Sequence, residues 1–178
     1  MARGNLTPFS YVVLVLVGRN GASAHDVVRM MRRGRLYWTA ADSHYYAEPK
    51  RLEQLGLLTS ETAPGQTTER RVYRLTAAGE EAVAAWIEEP TPVPRIQNEA
   101  IVRLLGSDLG DEAAVVRSLL AMRAELDAID ALLAQGREEK ASLPHRARAL
   151  ELVHRLGSDT VELYRRWLDE VEQEYGAG

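Results

Sequence analysis

The 178-residue chain contains no cysteine and only one phenylalanine. The absence of cysteine excludes disulfides and thiolate metal sites, and it suits a reducing compartment. Long hydrophobic runs are also missing, since the longest, Tyr11 to Val17, is far shorter than the roughly 18 residues that a membrane-spanning helix needs. No signal peptide precedes that run. The sequence therefore predicts a cytoplasmic protein with no membrane partner.

Catalytic and cofactor-binding motifs are absent from the sequence as well. It contains no HExxH, Walker, GxSxG or GxGxxG pattern. The four histidines fall in different predicted elements, and nine residues separate His145 from His154, so these two do not form an i, i+4 pair of metal ligands. We predict no enzyme activity, no cofactor and no metal site.

Charge is distributed unevenly along the chain. Residues 1–79 contain 11 Lys and Arg against 6 Asp and Glu, a net of +5, whereas residues 80–178 contain 11 against 20, a net of −9. A basic part followed by an acidic part is typical of a protein in which one part binds a polyanion. The alternative is that these charges only form solvated faces.

Capping signals predict the first two helices. Thr7 followed by Pro8 is typical of a helix start, although the β-branched residues of the run FSYVVLVLV would also suit a strand. Ser23 with Asp26 three residues later resembles a capping box, which predicts a helix through about Arg33. The segment GRNGAS between these helices is predicted to be a loop.

The segment DSHYYAEPKRLEQLGL, residues 42–57, combines helical spacing of apolar residues with a proline near its middle. Asp42 or Ser43 would cap such a helix. Pro49 would remove a backbone hydrogen bond inside it, at a cost of roughly 3 kcal/mol. Two interpretations are open. Either Pro49 kinks the N-terminal part of the helix, or the regular helix begins only at Glu48.

A hairpin, a helix and a linker are predicted next. Residues 57–63 and 72–76 read as two strands joined around the Pro-Gly pair at 64–65. Thr76 is predicted to cap a helix that ends before the proline-rich segment 90–94. Because proline cannot continue a helix and favours an extended linker, this segment is the predicted domain boundary.

The remainder of the chain is predicted to be helical. Residues 96–105 form a short helix, a longer one follows Asp111, and the last runs to about Tyr175. The middle helix has apolar residues at alternating steps of four and three, which is typical of a coiled-coil seam. Two antiparallel helices of this length cannot bury both apolar stripes alone, so we predict a homodimer. The predicted dimerisation residues are Val115, Leu119, Met122, Leu126, Ile129, Leu133, Tyr164 and Leu168.

The order of the elements predicts the fold class. Three helices, a two-stranded hairpin and a further helix are typical of a winged helix-turn-helix, in which the third helix enters the major groove of DNA. We predict a mainly α protein with a small β-hairpin wing. It consists of an N-terminal winged helix-turn-helix DNA-binding domain at 1–90 and a C-terminal long-helix dimerisation lobe at 95–178.

Residues 5–90 resemble the PadR family of transcriptional regulators. In that family a Ser-x-x-Tyr-Pro-x-Leu-Lys-Arg-Leu-Glu-x-x-Gly-Leu pattern fills the third helix. The sequence matches it at Ser43, Tyr46, Lys50, Arg51, Leu52, Glu53, Gly56 and Leu57. Further similarity lies in Arg71-Val72-Tyr73-Arg74-Leu75-Thr76, in Ala78-Gly79 and in Trp86. The departures are Ala47 and Pro49, where the family usually has proline and leucine, and Ala24-His25-Asp26-Val27 in place of Gly-Tyr-Glu-Ile.

The resemblance implies a repressor that binds a double-stranded DNA operator and, as in many relatives, responds to a small molecule. Lys50, Arg70 and Arg71 are assigned to phosphates. His44, Tyr46 and Arg51 are assigned to base edges or to their immediate support. The remaining predicted DNA-binding residues are Ser43, Thr67 and Thr68.

Three tryptophans are candidates for an effector pocket between the two lobes. Aromatic surface stacks on planar ligands, so Trp38, Trp86 and Trp167 would suit a small aromatic effector, although each also suits a hydrophobic core. The alternative function is a helical protein-protein interaction adaptor without DNA binding. An acidic surface on residues 42–74 would favour the adaptor, whereas the net positive charge of residues 1–79 favours DNA.

Overall fold

The computed structural model describes residues 6–38, 40–64, 70–139 and 143–175, and the chain forms two compact units, Met1–Val93 and Pro94–Gly178. The elements of the first unit are α1 (Pro8–Val17), β1 (Ala22–Ser23), α2 (Ala24–Arg33), α3 (Asp42–Gln54), β2 (Leu58–Ala63), β3 (Arg70–Leu75) and α4 (Ala77–Ile87).

Both predicted helix starts at the N-terminus are confirmed. The hydroxyl of Thr7 accepts a hydrogen bond from the backbone N–H of Ser10, and the Ser10 hydroxyl accepts one from the N–H of Thr7. Ser23 and Asp26 form the same reciprocal pair at the start of α2. The β-branched run after Pro8 is helical because its side chains fill the core of this unit on one side of α1.

The strands form an antiparallel sheet in the order β1-β3-β2. The predicted hairpin is confirmed, and its register places Ser60 opposite Tyr73 and Thr62 opposite Arg71. The prediction that GRNGAS is only a loop is wrong, because Ala22 and Ser23 pair with β3 as a third strand. Two residues are too few to produce the alternating pattern by which a strand is recognised in a sequence.

A glycine turn connects α3 to the sheet. Gly56 has a φ of +73°, a left-handed conformation that glycine adopts without steric cost. Its N–H donates to the carbonyl of Glu53, and the N–H of Leu57 donates to the carbonyl of Leu52, both at 2.9 Å. These two bonds form a Schellman motif, which ends the helix and directs the chain into β2.

Every regular element among the described residues of the second unit is a helix. Its elements are α5 (Glu99–Leu105), a short 3-10 helix (Ser107–Leu109), α6 (Glu112–Leu120), α7 (Met122–Glu139), a second 3-10 turn (Pro144–Arg146) and α8 (Ala147–Tyr175). The short helix predicted over 96–105 begins only at Glu99, because the side chain of Asn98 caps it. The longer helix predicted after Asp111 is two helices, interrupted at Ala121.

The heptad stripe of α6 and α7 is buried within one chain. Leu126 is 4% exposed, and it belongs to a hydrophobic cluster that also contains Leu119, Leu133 and, from α8, Leu168. The other predicted dimerisation residues, Val115, Met122, Ile129 and Tyr164, are partly buried against the same cluster. For the stripe of α6 and α7, the expectation that it cannot be buried without a second copy is therefore wrong. A dimer stays a prediction, but this stripe does not require one.

The predicted fold class is confirmed: the described residues are mainly helical and include one small antiparallel sheet. Within them, no helix combines the length and the apolar character needed to cross a membrane.

Candidate nucleic-acid interface

The exposed side of α3 carries several of the residues that the sequence assigns to DNA. Ser43, Tyr46 and Lys50 follow each other at helical spacing, and all three are exposed, Tyr46 by 44%. His44 is exposed beside them, and its ring lies edge-on to Phe9 with 6.4 Å between the ring centroids. This side of the helix presents a hydroxyl, a phenol, an imidazole and an ammonium group to a partner.

The N-terminus of α3 differs from the prediction. The helix begins at Asp42, and its N-cap is Ala41, which makes no side-chain capping hydrogen bond. The prediction that Asp42 or Ser43 acts as the cap is wrong, because both residues lie in the first turn. The interpretation in which the helix begins only at Glu48 is also wrong, since α3 continues through Pro49.

Packing explains why the helix tolerates an internal proline. Tyr45, Pro49 and Leu52 follow each other at helical spacing and form the buried side of α3. Phe9 of α1 packs against Tyr45, with 5.1 Å between the ring centroids. Burial of this apolar side offsets the cost of the hydrogen bond that the proline nitrogen cannot donate.

We expect Pro49→Leu to raise the melting temperature. Leucine restores an N–H that can donate to the carbonyl of Tyr45, a gain of roughly 3 kcal/mol from which overpacking removes about 1–3 kcal/mol. A net gain of about 1 kcal/mol corresponds to a rise of about 4–8 °C for a domain of this size. Thermal unfolding followed by circular dichroism measures the change. Pro49→Ala is the control, since it restores the same N–H without added volume.

If α3 binds DNA as the sequence predicts, the same substitution should change the preferred DNA sequence. Pro49 follows His44 and Tyr46 and precedes Lys50, so if it kinks α3, as the remaining interpretation holds, a straighter helix would redirect the first two. Selection from random duplexes with both chains measures this. Unaltered melting temperature together with unaltered site preference would contradict the expectation.

Arg51 is held against α1. Its guanidinium donates to both carboxylate oxygens of Glu48, at 2.6 and 2.9 Å, and to the hydroxyl of Ser10 at 2.9 Å. Ser10 is fully buried and also belongs to the capping box of α1. Burial would raise the pKa of Glu48, but hydrogen bonds from Arg51 and Ser10 outweigh it and hold that pKa below its ordinary value. Of the two roles predicted for Arg51, this geometry favours support of α3 over a base contact.

Arg70 is tied to the start of α2. Its guanidinium lies 3.5 Å from the carboxylate of Asp26, which also accepts hydrogen bonds from Ser23 and Arg29. Burial would raise the pKa of Asp26, but these hydrogen bonds and the two arginines hold it below its ordinary value. The carboxylate therefore stays ionised and keeps the first residue of β3 beside α2.

Arg71 joins the wing to α3. Its guanidinium donates to the carboxylate of Glu53 and to the hydroxyl of Ser60, and this hydroxyl donates to the same carboxylate. Hydrogen bonds from Ser60 and then Arg71 hold the pKa of Glu53 below its ordinary value. Thr67 and Thr68, which were also assigned to DNA, lie outside the described residues.

Sequence reasoning missed the carboxylates that hold these arginines. Glu48 stands three residues before Arg51, and this spacing is a recognisable signal for a pair on one helix. Glu53 and Arg71 are 18 residues apart, and only the folded hairpin brings them together. Among the described residues, Lys50 is the exposed cation of α3 for which no carboxylate partner is found.

The three tryptophans are divided between the two units. Trp86 stacks on Tyr11 with 4.8 Å between ring centroids and an interplanar angle of 7°, within the first unit. Trp167 lies edge-on to Tyr164 in the second unit, and Trp38 is exposed in the first. The effector pocket stays a prediction. In the described ranges, no cluster of His, Asp and Glu side chains is suited to hold a metal ion.

Comparisons with known proteins point to one class of regulator. No protein-family model matches the chain. A “probable transcriptional regulator” of Mycobacterium tuberculosis is 26% identical over 179 residues, which cover 92% of this chain and 95% of that protein. The negative transcriptional regulator PadR of Bacillus subtilis is 29% identical over 87 residues, 47% of each chain.

Solved structures share the fold over nearly the whole chain. Bacillus subtilis PadR in complex with operator DNA superposes with a TM-score of 0.78 at 20% identity, covering 95% of this chain and 99% of that one. The PadR-like regulator BC1756 from Bacillus cereus gives a TM-score of 0.76 at 16% identity, covering 97% and 100%. Bacillus subtilis PadR in complex with p-coumaric acid gives 0.61 at 19% identity, covering 92% and 98%. The resemblance to PadR-type transcriptional regulators is confirmed.

Proposed function

We propose that this chain, which has the fold of PadR-like transcriptional regulators, is a sequence-specific DNA-binding regulator that acts as a dimeric repressor. The observation that carries the proposal is the exposed polar side of α3, held beside a hairpin wing in a fold also found in a regulator bound to operator DNA. Such a helix fits the major groove of B-DNA and reads base edges there. A small aromatic effector is part of the proposal, because a relative of the same fold binds p-coumaric acid.

Roles within α3 follow from exposure and from ion pairing. Lys50 is proposed to bind a phosphate, since it is exposed and has no carboxylate partner among the described residues. His44 and Tyr46 are proposed to contact base edges, with Ser43 beside them. Arg51 is proposed to support them through its contacts with α1.

Substitutions at Lys50 and Tyr46 should affect binding in different ways. We expect Lys50→Ala to weaken binding to all duplexes alike and to reduce the salt slope by about one counterion. Tyr46→Ala should cost roughly 1–3 kcal/mol on the preferred site and little on random DNA. Fluorescence anisotropy over a range of salt concentrations, with the preferred site taken from selection of random duplexes, measures both.

Arg103→Ala is the control for Lys50→Ala, because it removes the same charge from an exposed residue of the second unit. Its binding should equal that of the unmodified chain. If both α3 substitutions lowered specific and random binding equally, the assignment of Tyr46 to base edges would be wrong. If the unmodified chain selected no sequence and bound no duplex, the adaptor alternative would replace the proposal.

The proposed dimer needs an apolar surface that one chain leaves uncovered. Leu152, Leu156 and Leu163 of α8 are each more than half exposed. At about 100° per residue they lie within roughly 40° of one another around the helix, while Val161 and Leu168 lie on the opposite, buried side. Exposed leucines that share one side of a helix mark an interaction surface. We therefore propose this stripe as the dimer contact, in place of the buried heptad of α6 and α7.

A further inference from the structure

Glu53 lies where three elements of the first unit meet. It occupies the last turn of α3, Ser60 lies in β2 and Arg71 in β3. Arg71 Nη2 donates to Glu53 Oε2 at 2.6 Å, Arg71 Nε donates to Ser60 Oγ at 2.7 Å, and Ser60 Oγ donates to Glu53 Oε1 at 2.6 Å. The three side chains form a closed triangle, which we call the Glu53 clamp.

The register of the hairpin brings the clamp together. Ser60 stands opposite Tyr73, and Arg71 precedes Tyr73 by two residues, so all three side chains leave the same face of the sheet. The Arg71 guanidinium lies 5.6 Å from the centroid of the Tyr73 ring, which is itself buried. The guanidinium is therefore fixed on one side by an aromatic ring and on the other by the carboxylate.

We propose that Glu53 is a positioning residue for DNA recognition: through Ser60 and Arg71 it fixes the wing relative to α3, and Arg71 acts through this clamp and not as a phosphate contact. The proposal rests on the proposed function, since it assigns a role within DNA binding. It differs from the expectation drawn from the sequence, which placed Arg71 on a phosphate.

The donor geometry of Arg71 carries the argument. Two of its donor groups are already directed to Ser60 and Glu53, and hydrogen bonds between charged groups are the strong ones. A phosphate would have to displace Ser60 and Glu53 to bind this edge of the guanidinium. Three of the five N–H groups stay available, so the salt dependence of Arg71→Ala decides whether a phosphate also uses them. A carboxylate near DNA also repels phosphates, so removing one raises affinity unless the carboxylate holds something in place. Removal of Glu53 should therefore lower DNA affinity if its carboxylate positions the wing, and raise it if the carboxylate only repels phosphates.

The test compares Glu53→Ala with Glu61→Ala. Glu61→Ala is the matched control because it removes the same charge from the wing, where Glu61 pairs with Arg74. Among the described residues Glu61 forms no hydrogen bond or ion pair with α3. We expect Glu53→Ala to weaken operator binding about three- to tenfold, since only part of the free protein then holds its wing in the binding geometry. Glu61→Ala should bind the operator as tightly as the unmodified chain or slightly more tightly.

Two further variants separate geometry from charge. Ser60→Ala removes one side of the clamp without changing any charge, and it should weaken operator binding in the same direction as Glu53→Ala. Arg71→Ala should weaken operator binding while leaving the salt slope unchanged, whereas loss of a phosphate contact would reduce that slope by about one. A Glu53→Ala chain that binds the operator as well as the Glu61→Ala chain would overturn the proposal, and so would a reduced slope for Arg71→Ala.

Hydrogen exchange without DNA keeps this result distinct from a failure of the proposed function. The amides of β2 and β3 should exchange faster in Glu53→Ala than in Glu61→Ala if the clamp holds the wing. If the amides exchange faster in Glu53→Ala but the unmodified chain binds no duplex, the clamp is supported and the regulator function is wrong. Equal exchange in both variants would overturn the clamp itself.

Discussion

Leu126→Asp should unfold the C-terminal helical unit and should not simply separate two folded chains. Leu126 is buried in the cluster formed by α6, α7 and α8 of a single chain. Losing a buried leucine costs about 2–5 kcal/mol, and a carboxylate at the same place must either be desolvated or take up a proton. The expected loss of about 4 kcal/mol or more is a large part of the 5–15 kcal/mol that stabilises a typical protein.

Leu156→Asp is the matched substitution, with the same two residue types at a position of α8 that is 58% exposed. It should leave the unit folded, because surface substitutions usually change stability by no more than about 0.5 kcal/mol. If the proposed stripe is the dimer contact, this variant is a folded monomer by light scattering. Circular dichroism and hydrogen exchange in α7 and α8 report folding in both variants. A folded monomeric Leu126→Asp would show that the heptad, and not the stripe, is the contact.

This pair of leucines illustrates what periodicity can predict. Alternating steps of four and three identify the apolar side of α7, and that side is indeed buried. The period is the same whether the covering helix comes from the same chain or from a second one. Which helix covers the stripe depends on how α8 packs, and no local pattern in the sequence records this.

The candidate interface was predictable where its signals are local. The helix starts at Thr7 and Ser23 and the exposed positions of α3 are read over a few residues, and the structure has them where expected. The clamp between Glu53 and Arg71 depends on strand register, which links residues far apart in sequence. The course of α3 through Pro49 is a case in which burial of one side prevails over local helix propensity.

Gly79→Ala should destabilise the first unit even though it replaces glycine with the best helix former. Gly79 lies in the first turn of α4, where alanine ordinarily gains about 0.5–1 kcal/mol over glycine. Here an added Cβ would overlap the carbonyl oxygen of Leu57 and would lie 3.1 Å from its carbonyl carbon. Both are backbone atoms and cannot rotate away. The helix must move instead, so we expect a net loss of about 1–3 kcal/mol.

The contact broken by that movement connects α4 to the end of α3. The N–H of Thr76 donates to the carbonyl of Leu57 at 3.1 Å, and the Thr76 hydroxyl donates to the carbonyl of Gly56 at 2.7 Å while capping Gly79. Shifting α4 weakens these bonds where the chain passes from α3 into the wing. If the proposed function holds, operator affinity should therefore fall along with stability. The glycine of the Ala78-Gly79 pair noted in the sequence thus has a steric reason that a single sequence does not reveal.

Gly34→Ala is the control, since it is the same substitution at the end of α2, where the nearest atom to an added Cβ is 3.7 Å away and φ is −89°. It should be neutral or stabilising by about 0.4–1 kcal/mol, because alanine restricts the unfolded chain. Urea unfolding of both variants, with the slope m compared to that of the unmodified chain, gives the two changes in free energy. We expect the two substitutions to change the free energy of unfolding in opposite directions. A Gly79→Ala chain as stable as the Gly34→Ala chain would show that α4 does not pack against the Leu57 backbone.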